Sequence, residues 1–280
     1  MGASFSAEFL KLRKRPSTWV LALVWLALIV LLGYILTYAT FASIPEDAAP
    51  PGMDPDAFLQ TLYPENVLSN VLAGFSSAGG GPVALILGAL AVGSEYSWGT
   101  LKTVLTQRPS RSRVLLGKVF ALGLVLVGLV VLAFVAGATA SYVVSRLEGV
   151  AADWPSAGEI LRALAVGSLI SAVWTALGAF LAALFRGTPL AIGLGMVYAL
   201  LLEGVVGTVL VSNEDYDPYR KFLVAENANS LINYFGSAAP EGLGPPDSIV
   251  EPTRAVLVLC AYAVFFVVLA VLLLRRRDVT

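Results

Sequence analysis

The chain has 280 residues, 58 % of them hydrophobic and only 13 % charged, with 18 basic side chains against 19 acidic ones. It has no histidine and one cysteine, which excludes His-based acid–base catalysis, a Ser–His–Asp triad, a His-ligated metal site and an intrachain disulfide. A net charge of −1 gives no support to nucleic-acid binding.

Six long apolar runs follow one another along the chain, at about 18–41, 67–92, 114–144, 163–185, 190–211 and 255–274. Each holds about 20 residues or more, the length an α-helix needs to cross a ~30 Å hydrocarbon core. The expected fold class is therefore an all-α integral membrane protein with six transmembrane helices and no soluble domain.

Ahead of the first run, Ser4 to Arg15 reads as a short amphipathic helix. Phe5, Phe9 and Leu12 share one face, and Glu8, Lys11 and Arg15 share another. Pro16 then turns the chain, so an N-terminal interfacial helix is expected, with its apolar face among lipid headgroups and its cations near anionic lipid. The first run is too long for the apolar core of a cleaved signal peptide, and no clear A-x-A site follows it.

In the second run Gly79-Gly80-Gly81-Pro82 disfavours continuous helix. Either the helix is broken beside a pathway, or the segment before the break lies partly outside the bilayer. The loop after it carries Glu95, Tyr96, Trp98, Gly99, Thr100, Leu101 and Leu105, with Trp98, Leu101 and Leu105 on one helical face and Pro109 stopping the helix. This predicts a short amphipathic helix parallel to the membrane, tethered to two spans and able to pass on a push from a cytoplasmic partner.

Glycines recur in the later spans: 117, 123 and 128 in the third, 167 and 178 in the fourth, 193, 195, 204 and 207 in the fifth. They read as close-packing positions. Glu203 is an isolated carboxylate in the fifth span. It is a candidate pathway residue facing substrate or a cation, with a structural partner on another span or a position nearer the surface as the alternatives. The longest loop, 212–252, opens acidic and ends rich in Gly and Pro, and its apolar middle (Phe222 to Phe235) predicts a short external helix. Cys260 lies in the sixth span and reads as an apolar packing residue.

Basic residues cluster before the first run (Lys11, Arg13, Lys14, Arg15), between the second and third (Lys102, Arg108, Arg111, Arg113, Lys118), at Arg186, and after the sixth at 275–277. These are 13 of the 18, while Glu46, Asp47, Asp54, Asp56 and Glu65 lie in a loop of the opposite side. The positive-inside rule then predicts a multi-pass protein of the cell (plasma) membrane with both termini cytoplasmic.

Glu95-Tyr96 through Gly99-Thr100-Leu101, with Leu105, Gln107, Pro109 and Arg111, resembles the coupling-loop pattern of type-2 ATP-binding-cassette (ABC) exporter permeases. Glu8-Phe9 through Lys11-Leu12 and Arg15-Pro16 is similar to that family's opening segment, and Arg276-Arg277-Asp278-Val279 to its usual ending. The resemblance implies that residues 1–280 form one transmembrane permease domain, half of a dimeric pore completed by a second permease copy or a homologue. It also implies that the 95–107 segment is a cytoplasmic coupling helix docking on a separate cytoplasmic ABC ATPase subunit. No G-x-x-x-x-G-K-[ST] loop occurs, so ATP hydrolysis is expected in that separate subunit, with no cofactor and no metal in this chain. The competing classes are a membrane scaffold or sensor subunit without transport, and a lipid-modifying membrane enzyme, for which no nucleophile or metal constellation is in view.

Overall fold

Proline and capping residues fix where the helices of this protein begin. A computed structural model describes residues 2–44, 54–76, 79–97, 111–206, 209, 215, 217–236 and 248–276. Among them the regular structure is all helical. Helix α1 (Gly2–Lys14) closes on Lys11, Arg13 and Lys14, cations that suit a helix C-terminus. Arg15 is extended, and Pro16 occupies the first turn of α2 (Pro16–Phe41), where its missing N–H leaves no intrahelical hydrogen bond unmade. The middle of α2, Leu28–Leu36, is π-helical.

Helix α3 (Pro55–Gln60) is capped by the Asp54 carboxylate, which accepts from the Asp56 and Ala57 amides at 3.0 and 3.3 Å. The short α4 (Val67–Ala73) and α5 (Gly80–Ser97) together make the second apolar run, broken between them. Helix α6 (Arg111–Leu147) follows. Next comes α7 (Ala157–Phe185), which starts on a capping box between Ser156 and Glu159. It ends at Arg186, in left-handed conformation at φ 56°, so the chain reverses over two residues into α8 (Thr188–Val197). That helix runs on as the π-helix Tyr198–Val206. Helices α9 (Asp217–Arg220) and α10 (Val224–Asn233) precede α11 (Pro252–Arg276).

Among the described residues four helices are long and apolar enough to cross a membrane by length and composition: Pro16–Phe41, Leu116–Leu147, Ala157–Phe185 and Pro252–Leu274. Gly80–Tyr96 and Thr188–Gly204 are shorter apolar helices. Large aliphatic side chains such as Leu31, Leu32, Leu201, Leu257 and Val264 stand exposed on the outside, an exterior suited to lipid.

Helix α7 is central and packs against α5, α6, α8 and α11. Its crossing with α5 brings backbone onto backbone. A Cβ at Gly88 would collide with the Thr175 carbonyl oxygen, and one at Gly178 with that of Leu85. The Thr175 hydroxyl donates to the Ala84 carbonyl across this crossing at 3.1 Å. The break before α5 is equally crowded. Gly80 lies under the Trp25 indole and Gly81 under that of Trp174, and the Gly80 amide donates to the Gly74 carbonyl at 2.8 Å. The second apolar run is thus interrupted between Ala73 and Gly80, with Gly80 and Gly81 covered by the two indoles.

Three of the glycines read as packing positions open instead onto empty space: Gly123, Gly128 and Gly193 have no neighbour that a Cβ would meet. Gly117, against Ser4 and Phe5 of α1, Gly178 and Gly195 do hold close contacts. Gly207 lies outside the described residues. Cys260 is exposed on α11 rather than packed, because the outward side of this apolar helix needs no particular partner.

Candidate functional site

The apolar face of α1 lies on protein. Leu12 is buried with Ala91 of α5 and Ala121 of α6, and Phe5 and Phe9 pack beside them. This is the face that an interfacial reading gives to headgroups. With that face docked, the adjoining charged face meets the ends of α5 and α6.

Four charges converge there. The Lys118 ammonium of α6 donates to Glu8 Oε2 at 3.0 Å, to Glu95 Oε1 at 2.6 Å and to the Ala91 carbonyl at 3.4 Å. The Lys11 ammonium donates to Glu8 Oε1 at 2.9 Å and to Glu95 Oε1 at 2.6 Å. Two carboxylates and two ammonium groups thus alternate in a closed, charge-balanced quartet joining α1, α5 and α6. Glu8, Glu95 and Lys118 are all buried, at 7, 7 and 6 % exposure, so each needs its opposite charge to offset lost hydration. Burial pushes the Glu8 carboxyl up, but Lys118 and Lys11 outweigh it and hold the group below its ordinary value. Burial pushes the Lys11 ammonium down, yet Glu95 and Glu8 hold it above its own. Arg15 adds a further tie to α5, its guanidinium donating to the Leu90 carbonyl at 3.0 Å.

The next residue faces another set of helices. Tyr96 packs against the buried cluster of Ala89, Val92, Ala182, Ala183, Ala191, Ala270 and Leu274, which draws on α5, α7, α8 and α11. Gly93 fits against the α7–α8 turn, where a Cβ would stand 2.6 Å from the Thr188 methyl. Through Glu95 the end of α5 bonds to α1 and α6, and through Tyr96 it joins a buried cluster to which α7, α8 and α11 contribute. Trp98, Gly99, Thr100, Leu101 and Leu105 lie outside the described residues.

Glu203 lies elsewhere, in the π-helical stretch after α8, at 2 % exposure. Its Oε1 accepts the Tyr198 hydroxyl and, at 3.0 Å, the Val224 amide. Its Oε2 accepts the Ala225 amide at 2.7 Å. Leu223, the residue ahead of α10, offers no side-chain cap, so Glu203 supplies the missing acceptor from another element. Both oxygens are engaged at the start of α10, a short helix that follows the fifth apolar run rather than one of the long apolar helices.

Two features of this region had no signal in the sequence. Arg220 is buried between Glu226 and Asp217, at 3.0 and 3.1 Å. Glu226 in turn accepts from the Ser248 hydroxyl and the Ile249 amide at 3.1 and 3.0 Å, which ties α10 to the approach of α11. These partners are separated by residues of unremarkable composition, and only the fold brings them together. Among the described residues no group of three His, Cys, Asp or Glu side chains could hold a metal ion.

Fold and site together define an all-helical protein with several helices apolar enough for a membrane, organised around a buried charge quartet. Within that class the chain belongs to a family described as "Protein of unknown function (DUF2705)", matched over residues 82–280. The match takes in Glu95, Lys118 and Glu203 but not α1. The chain is also similar to the uncharacterized protein YhcI of Bacillus subtilis (strain 168), with 25 % identity over 216 residues. That similarity covers 71 % of this chain and 64 % of the relative, so the chain spans less than two thirds of that relative's length.

Proposed function

We propose that this chain is the membrane-spanning permease subunit of an ATP-driven ABC exporter, half of a dimeric pore powered by a separate cytoplasmic ATPase subunit. The observation that carries the reading is the convergence at the end of α5. Glu95 is bonded to α1 and α6, and Tyr96 packs against a buried cluster to which α7, α8 and α11 contribute, just where the coupling-loop resemblance begins. A partner pressing on the 98–107 segment would act on all of these helices through two adjacent side chains.

In this reading the two shorter apolar helices are spans as well. At about 1.5 Å per residue Gly80–Tyr96 and Thr188–Gly204 each reach about 25 Å, near the thickness of the hydrocarbon core. That gives six spans, with α1 and the coupling segment cytoplasmic and α10 external. Glu203 then anchors the external helix to the fifth span.

The experiment is co-purification with candidate P-loop ATPases, followed by ATPase assays on the complex. Leu101→Asp places a charge on the proposed docking face, where burial without a counter-ion is unfavourable. It should release the ATPase or uncouple hydrolysis while membrane insertion stays intact. Unchanged assembly and hydrolysis in that variant would return the loop to a plain connector. Stable binding of an ATPase whose hydrolysis never responds to the chain would favour a scaffold.

A further inference from the structure

Two grooves flank α6, and each is lined by one cation: Lys118, already bonded to Glu8 and Glu95, in the first, and Arg13 in the second. The second lies between α1, α2 and α6, has a volume of about 560 Å³, and is walled by Phe9, Trp19, Leu124, Gly128 and Leu132, with Arg13 on its α1 side. Gly128 forms part of the floor, with open space where a Cβ would be. From Leu124 to Leu132 the groove follows α6 for about 12 Å, most of the ~15 Å depth of one leaflet's hydrocarbon. The Arg13 side chain makes no ion pair among the described residues, whereas Glu8 and Glu95 pair with Lys11 and Lys118. Trp19 is half exposed beside it, its indole N–H donating to the Arg13 carbonyl at 2.7 Å. An aromatic ring and a free guanidinium above an apolar trough is the arrangement found at the headgroup level of a bilayer.

We propose that this groove seats one anionic phospholipid, its acyl chain along α6 over Gly128 and its phosphate against Arg13. The choice of occupant rests on charge complementarity. An uncharged chain would leave the guanidinium without a counter-ion, whereas an anionic headgroup pairs with it and the adjoining apolar walls take the tail. The inference requires α1 to lie at a membrane surface, but it does not require the chain to transport anything. The expected preference is about fivefold for an anionic over a zwitterionic lipid, the worth of one cation near a membrane surface.

The test is native mass spectrometry of the full chain in detergent, titrated with phosphatidylglycerol and with phosphatidylcholine of the same acyl chains. The wild type should retain one phosphatidylglycerol in preference to phosphatidylcholine. Arg13→Gln should keep a lipid but lose the preference, and Gly128→Leu, which fills the floor, should lose the bound lipid altogether. Equal retention of the two lipids by wild type, or undiminished retention by Gly128→Leu, would overturn the proposal. Should Gly128→Leu fold poorly, Leu124→Trp fills the same trough from an exposed position and must give the same loss. A disulfide between copies formed by Leu132→Cys in a Cys260→Ala background would also overturn it, by placing a second chain over the groove.

Discussion

Glu203 shows how little a residue's type says about its task. A lone carboxylate in an apolar helix reads as a pathway group, yet its neighbours are two backbone amides at the start of α10 and the Tyr198 hydroxyl. If its work is to hold α10, Glu203→Gln keeps one acceptor but sets an NH2 against one of the donors, so it should cost some stability, though less than leucine. Glu203→Leu leaves two buried N–H groups unpaired and should destabilise the purified chain by about 2 kcal/mol in thermal unfolding. A leucine variant as stable as wild type, with transport altered in the glutamine variant, would restore the pathway reading. The quartet makes a pH prediction at the same scale. Glu8 is held below its ordinary 4.5, so the stability it contributes is present above that pH and is lost as pH falls through the lowered value. Lys11 is held above its ordinary 10.5, so its contribution is present below that pH and is lost as pH rises through the raised value. Protection of the α1 amides, with the intrinsic pH dependence of exchange divided out, should therefore be flat across the interval between those two values and fall outside it. Loss of α1 protection near neutral pH would mean that the quartet is not what docks the helix.

Pro16 and the long apolar runs were the most legible features of the sequence, because they act locally, whereas the Ser156–Glu159 box starts α7 six residues ahead of the expected run. The i, i+4, i+7 spacing of Phe5, Phe9 and Leu12 gives α1 correctly, but it says only that a face must be covered, not by what. Glu8 and Lys11 look like a solvated face because their partners on other helices stand 110 and 84 residues away, and nothing local encodes such pairing. The two π-helical stretches likewise carry no compositional mark, and Gly88, a single glycine in an apolar run, gives no hint that it forms the tightest helix crossing. Glycines in one helix can be told apart only by what faces them, and this can be tested directly. Gly178→Ala drives a Cβ into the Leu85 carbonyl, so the α5–α7 crossing must open and the melting temperature should fall by several degrees. Gly123→Ala meets nothing and gains helix propensity, so it should be neutral or slightly stabilising. Equal effects of the two would argue against the crossing as drawn.

At the scale of the whole molecule the proposed six-span topology is open to labelling in intact cells. In a Cys260→Ala background, single cysteines at Asp54 and Glu241 should react with an impermeant thiol reagent, and one at Thr103 only after permeabilisation. Labelling of position 103 from outside would reverse the orientation. The position of the α5–α7 crossing has a mechanical consequence. Gly88 lies about 10 Å along the rod from Glu95 and about 12 Å from Gly80. A rigid bar pinned near its middle is a see-saw. A tilt that carries the Glu95 end one way must carry Gly80 and Gly81 the other way by a similar amount, against the two indoles that rest on them. The tryptophans of α2 and α7 therefore sit on the far arm of a balance whose near arm is held by four charges.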